Sequence, residues 1–153
     1  MHLRALPLAF YVTCLAACST ASLHENKPSN MRLTADLVCT DPQRYANQKV
    51  GDGHCVSLIK KCTGAPDTIA WRAGQYVLGN TIPVGAIIAT FKNDRYPNKH
   101  GHHAAIYIRQ DKNGIWVWDQ WLGKPVHQRL IKTRYDGADP GNTAQRYRLV
   151  RIP

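Results

Sequence analysis

Residues 51–62, GDGHCVSLIKKC, constrain this chain more than any other stretch. Gly51 and Gly53 flank Asp52, and from Cys55 the apolar positions fall at 55, 58, 59 and 62. That spacing is one face of an α-helix. A thiol in the first helical turn sits among unpaired backbone N–H groups at the positive end of the helix dipole, where the thiolate is favoured. A flexible glycine turn before the helix exposes such a residue. The competing reading is that Cys55 is a small buried apolar side chain, as free cysteines often are. A candidate base downstream, His103, favours the nucleophile.

With 153 residues the chain has room for one domain and a substantial core. Its net charge is +10, and only Arg4 of the basic residues lies in the first seventeen positions, so the charge belongs to the rest of the chain. A polyanionic partner suits it: nucleic acid, an anionic membrane face or an acidic wall polymer. No Lys/Arg run or RNA-binding signature accompanies the charge, which argues against nucleic acid.

Beyond a polar tether at 19–30, the folded part starts near Met31 or Leu33. Residues 34–45 suit a short helix or turn, with Asp41-Pro42 as a boundary. The Cys55 helix stops at Thr63-Gly64-Ala65-Pro66. Residues 67–80 read as an ordered loop over the site, and 86–91 as a buried strand. A polar loop over 92–101 leads to a strand at 103–109. Asn113-Gly114 then signals a hairpin to an antiparallel partner at 115–121. Strands at 126–131 and 147–152 flank a loop at 136–142. Helix first, then an antiparallel sheet, is an α+β outline.

Thiol catalysis needs a base to take the proton and a third group to hold the imidazole in its useful tautomer. His103 opens a strand before the hairpin, so its ring can stand at the sheet's edge facing the helix start. On the partner strand, Asp119 can accept from the imidazole Nδ1–H, and Gln120 can orient the ring without adding charge. Adjacent strand residues point to opposite faces, so only one of the two faces the site; Asp119 is favoured and Gln120 is the alternate. His100, His102 and His103 could instead hold zinc, but a catalytic zinc site needs a further ligand, and no His-Glu-x-x-His helix is present. Trp71, Tyr96 and Trp121 are candidates for a substrate wall, against the plainer reading of core and surface aromatics.

The N-terminus reads as a targeting segment, with Arg4 before an apolar run at 5–17 that is too short to span as a mature helix. Leu15-Ala16-Ala17-Cys18 resembles the lipobox of bacterial lipoproteins, in which the signal is cut before a cysteine that is then diacylated. Ser19 after it resembles outer-membrane sorting. The competing readings are an ordinary signal peptide cut nearby, or Met31 as the true initiator. Export would bring the other cysteines into an oxidising compartment. If Cys18 is lipidated and Cys55 is catalytic, Cys39 and Cys62 are left as a candidate disulfide pair.

Gly53-His54-Cys55-Val56-x-Leu58, a strand led by Pro83-x-Gly85, and His103-Ala104-Ala105-Ile106-Tyr107 resemble the NlpC/P60 and CHAP cysteine peptidases. Val117-Trp118-Asp119-Gln120 resembles the strand that supplies a carboxylate in CHAP enzymes. More narrowly, the segments around His102-His103 and Trp118-Asp119-Gln120-Trp121 resemble peptidoglycan amidase effectors of type VI secretion systems. The resemblance covers residues 45–132 and implies a papain-like core, with the catalytic helix packed on an antiparallel sheet. It implies Cys55 as nucleophile, His103 as base and Asp119 as orienting residue, cleaving amide bonds of peptidoglycan stem peptides or cross-links without a cofactor. A cognate immunity protein is a further implied partner.

The division expected is a lipoprotein-type signal at 1–17, the lipidated Cys18 with its tether at 18–32, and the amidase domain at 33–153. Injected effectors do not normally need an export signal. The lipobox therefore points to the producer's own periplasm, with an outer-membrane lipid anchor, and delivery into a rival's periplasm is the alternative. A wall-binding lipoprotein without turnover and a thiol acyltransferase are the alternative functions on the same fold.

Overall fold

A computed structural model describes residues 34–133, 137 and 139–153. The expected signal segment, Cys18 and the tether lie outside the described residues, as does part of the 136–142 loop.

The helix α1 spans Cys55–Thr63 and buries Leu58 and Ile59 completely. Burying two such side chains contributes about 1.5–3 kcal/mol each. Gly64 ends the helix in the left-handed conformation with φ 69°, its N–H bonded to the Lys60 carbonyl at 2.9 Å. Lys60 and Lys61 sit in the last turn, where positive charge complements the dipole. No described helix is long and apolar enough to cross a membrane.

Six strands follow: β1 (Arg72–Tyr76), β2 (Ile87–Thr90), β3 (Ala104–Asp111), β4 (Gly114–Trp121), β5 (Lys124–Lys132) and β6 (Tyr147–Arg151). They form one sheet in the order β1-β6-β2-β3-β4-β5, with every pairing antiparallel. The fold is α+β. The hairpin between β3 and β4 forms where Asn113-Gly114 signals it, with Gly114 already the first residue of β4. Short 3₁₀ turns at Pro42–Tyr45, Thr68–Ala70, Pro140–Asn142 and Ala144–Arg146 complete the described elements.

The reading of 67–80 as a loop is corrected: it contains a 3₁₀ turn and β1. β1 has the sequence RAGQY, with no apolar alternation to reveal it. It is an edge strand whose pairing with β6 comes from a distant part of the chain, and such partners leave little local trace.

Period-two alternation divides the core into two layers. Ala104, Ile106 and Trp118 face α1 with Leu58, Ile59, Trp71 and Tyr96. Ala105, Tyr107, Ile115, Val117, Ile131, Tyr147 and Leu149 pack on the opposite face. Cys39 and Cys62 form a disulfide with Cα atoms 5.4 Å apart, tying the end of α1 to the segment that pairs with Gly85. For a loop of 23 residues such a link is worth ~3 kcal/mol.

Candidate active site

The loop before α1 is clamped from the sheet. Gln120, fully buried on β4, accepts from the Val50 N–H at 3.0 Å and donates to the carbonyls of Val50 at 2.8 Å and His54 at 2.9 Å. Asp52 accepts from the His54 N–H at 2.9 Å and the Ser57 hydroxyl at 2.6 Å, placing negative charge at the helix start. These contacts deliver Cys55, the free cysteine of the described residues, as the first residue of α1.

His103 immediately precedes β3. Its backbone is pinned twice by buried Thr90: the Thr90 N–H donates to the His103 carbonyl at 3.0 Å, and the His103 N–H donates to Thr90 Oγ1 at 3.1 Å. Behind it, a Cβ added at Gly141 would lie 2.8 Å from His103 Cβ, so only glycine permits this approach. The register between β3 and β4 pairs Ile106 with Trp118 and Tyr107 with Val117. Continuing it puts Ala105 opposite Asp119, making His103 and Asp119 diagonal neighbours on one face.

His103 Nε2 lies 2.9 Å from Asp119 Oδ2, with side chains 12% and 0% exposed. The sequence reading placed this contact at Nδ1; the structure uses Nε2, which leaves the other ring nitrogen for Cys55. Gln120, one residue on, points to the α1 face and clamps the loop instead of the ring. Adjacent residues of β4 thus serve the two parts of the site from opposite faces.

Electrostatics link the three groups. Burial pushes the Cys55 thiol up, but hydrogen bonding and charge from His103, the Ala104 backbone and the Tyr96 hydroxyl together bring it below its ordinary value. Burial opposes protonation of His103, yet Asp119 and then Cys55 overcome it, and the imidazole is pushed up to about 9. Asp119 is pushed up by burial, but His103 and Arg129 outweigh this and hold it below the usual carboxylate range. The combination favours a thiolate–imidazolium pair backed by a carboxylate.

Of the expected wall aromatics, Trp71 is corrected. It is 0% exposed, donates its indole N–H to the Pro66 carbonyl at 3.1 Å and packs under Tyr96 at 5.3 Å between ring centroids. No face of it is open to a substrate. Tyr96 is also buried, but its hydroxyl reaches to 3.6 Å from Cys55 Sγ. Trp121 is 40% exposed at the rim, its ring 6.4 Å from that of His103 and 4.9 Å from that of His127. The three histidines weighed for zinc are not gathered: His100 is exposed, His102 turns Nδ1 to Thr90 Oγ1 at 3.1 Å, and His103 is held by Asp119.

Sequence reasoning missed Arg129, Asn142 and His127. Arg129 donates from Nε and Nη2 to Asp119 Oδ2 at 2.9 and 2.7 Å, and from Nη1 to Asn142 Oδ1 at 3.0 Å. The signal for Arg129 was present: it shares a strand face with buried Ile131, and an arginine there needs a carboxylate partner.

The family model described as domesticated amidase effector 2 matches residues 29–149, from before the first described residue almost to the end of β6. The chain belongs to the domesticated amidase effector 2 family. It is 43% identical over 111 residues to the type VI secretion amidase effector 2 protein of Salmonella typhi, across 63% of this chain and 84% of that relative. It is 40% identical over 107 residues to domesticated amidase effector 2 of Ixodes scapularis, across 64% and 74%. The solved structure of a type 6 secretion amidase effector 2 superposes with a TM-score of 0.70 at 36% identity, covering 78% of this chain and 96% of that one. That amidase effector therefore shares the fold described here.

Proposed function

We propose that this family member is a cysteine amidase hydrolysing amide bonds of peptidoglycan stem peptides or their cross-links, on a papain-like core of the NlpC/P60 type. The observation that carries the reading is the linked set of Cys55 at the start of α1, His103 against it, and Asp119 2.9 Å from His103 Nε2. The Cys55 thiolate attacks the substrate carbonyl, and the oxyanion is met by the Cys55 backbone N–H at the helix start. His103 donates its proton to the departing amine, then takes one from the water that cleaves the thioester. Asp119 keeps the ring in place and stabilises the imidazolium.

The excess of basic residues suits an anionic wall polymer. The names of the Salmonella typhi relative and of the solved structure place those two among type VI secretion effectors, which supports delivery into a rival's periplasm and a cognate immunity protein that blocks the enzyme in its producer. The segment Leu15-Ala16-Ala17-Cys18 favours a second setting, a lipoprotein remodelling its producer's own wall.

Digestion of purified peptidoglycan, with muropeptides resolved by mass spectrometry, tests the activity. Wild type is expected to deplete cross-linked dimers or stem peptides, and Cys55→Ala to lose at least about a thousandfold in rate while remaining folded. Unchanged muropeptides with wild type overturn the reading, and activity retained by Cys55→Ala overturns the nucleophile.

A further inference from the structure

Asp119 carries an arrangement the mechanism above does not explain. An arginine–carboxylate pair is strongest when its two N–H groups take the two oxygens in parallel. Here Arg129 Nε and Nη2 both lie against Oδ2, the oxygen that also faces His103 Nε2. Oδ1 is buried without a hydrogen-bond partner; His127 Nδ1 stands 3.9 Å away and is bonded to the Pro125 carbonyl at 3.0 Å. The guanidinium is held in this offset position from its other side. Nη1 donates to Asn142 Oδ1 at 3.0 Å, and Cζ sits 5.3 Å over the Trp121 ring. Trp121 and Asn142 thus fix an arginine that crowds a second cation onto the oxygen serving the imidazole.

We propose that Arg129 is the positioning residue of the site: by sharing Asp119 Oδ2 with His103 it sets the direction of the ring and limits how tightly the imidazolium is held. The inference rests on the acid–base role proposed above for His103. A fully buried carboxylate facing a single imidazolium would bind it strongly in a low-dielectric setting. A proton held that firmly is passed poorly to a departing amine. A permanent second cation on the same oxygen keeps Asp119 ionised and weakens its hold on the ring. The other groups facing this cluster are Cys55 from α1, Tyr96 from the loop after β2, His127 from β5 and Tyr147 from β6. None of them supplies a fixed positive charge at Oδ2.

Alkylation of Cys55 by iodoacetamide, followed across pH by mass spectrometry of the Cys55 peptide, tests this without any substrate. The wild-type rate should rise in two steps, first as the thiolate forms beside the imidazolium, then as His103 loses its proton. In Arg129→Gln, which keeps a donor for Asp119 and removes the charge, the upper step should move to higher pH by roughly one unit. In Arg129→Lys it should stay in place. With peptidoglycan, Arg129→Gln should lose about ten- to a hundredfold in kcat with KM unchanged. Should Arg129→Gln not fold, Asn142→Ala replaces it: freeing Nη1 loosens the guanidinium from Oδ2, and the upper step should move the same way by less. An upper step that stays in place in the folded Arg129→Gln or its substitute, or moves equally in Arg129→Lys, overturns the proposal. If wild type fails to hydrolyse peptidoglycan, the proposed function falls, while the alkylation result is read independently.

Discussion

On the α1 face of the sheet, the segment leading to Cys55 is held by three neutral hydrogen bonds from Gln120 and by the Cys39–Cys62 disulfide near the helix's far end. On the opposite face, His103 is held by charge, through Asp119, Arg129 and, beyond them, Asn142. Neutral contacts and a covalent link hold position whatever the pH. A charged network also sets protonation, so it makes its part of the site responsive to pH. Apart from the Asp52 carboxylate at the helix start, the nucleophile is thus anchored by groups that do not titrate, and the proton-transfer group by groups that do.

Breaking the charged side should cost most. Asp119→Ala leaves Arg129 without its carboxylate in a largely buried position, and a loss of about 3–5 kcal/mol is expected in urea unfolding. A loss below about 1 kcal/mol, the level of a solvent-exposed pair, would show that the network contributes no more than surface charges do. Reduction of the disulfide should remove ~3 kcal/mol, uniformly across pH. Gln120→Ala leaves the buried Val50 N–H unpaired, while the Val50 and His54 carbonyls keep the Gly53 and Ser57 N–H groups, and should cost roughly 1–3 kcal/mol, also without pH dependence.

The finest test of the contrast is the pH dependence itself. His103 is raised from 6.5 to about 9, so its stabilising contribution is complete below 6.5 and is lost as pH rises toward 9. The lowered Cys55 thiol acts in the opposite direction, contributing fully above 9.0 and losing that contribution as pH falls. In a Cys55→Ala background, stability measured by urea unfolding should therefore fall as pH rises above 6.5 and level off at or below about 9. His103→Gln should abolish that slope, and Gln120→Ala should leave it intact. A slope that survives His103→Gln would place its origin elsewhere.

Much of this molecule was determined by the sequence alone, wherever the signal is local. The apolar spacing from Cys55, stopped by Gly64 and Pro66, specifies α1 at Cys55–Thr63, because helix contacts span only a few residues. The hairpin at Asn113-Gly114 and the order of Cys55, His103 and Asp119 were legible for the same reason, and the effector family was recognisable from those segments. Tertiary structure alone decided what depends on distant partners. β1 becomes a strand only because β6 pairs with it from the other end of the chain. Trp71 goes into the core because Tyr96 and Pro66 meet it there. The β3–β4 register decides that Asp119 faces His103 while Gln120 turns to the loop before α1, and folding brings Arg129 and Asn142 to the same carboxylate. Side-chain periodicity in a strand names the two faces; which face meets which partner is set by long-range pairing.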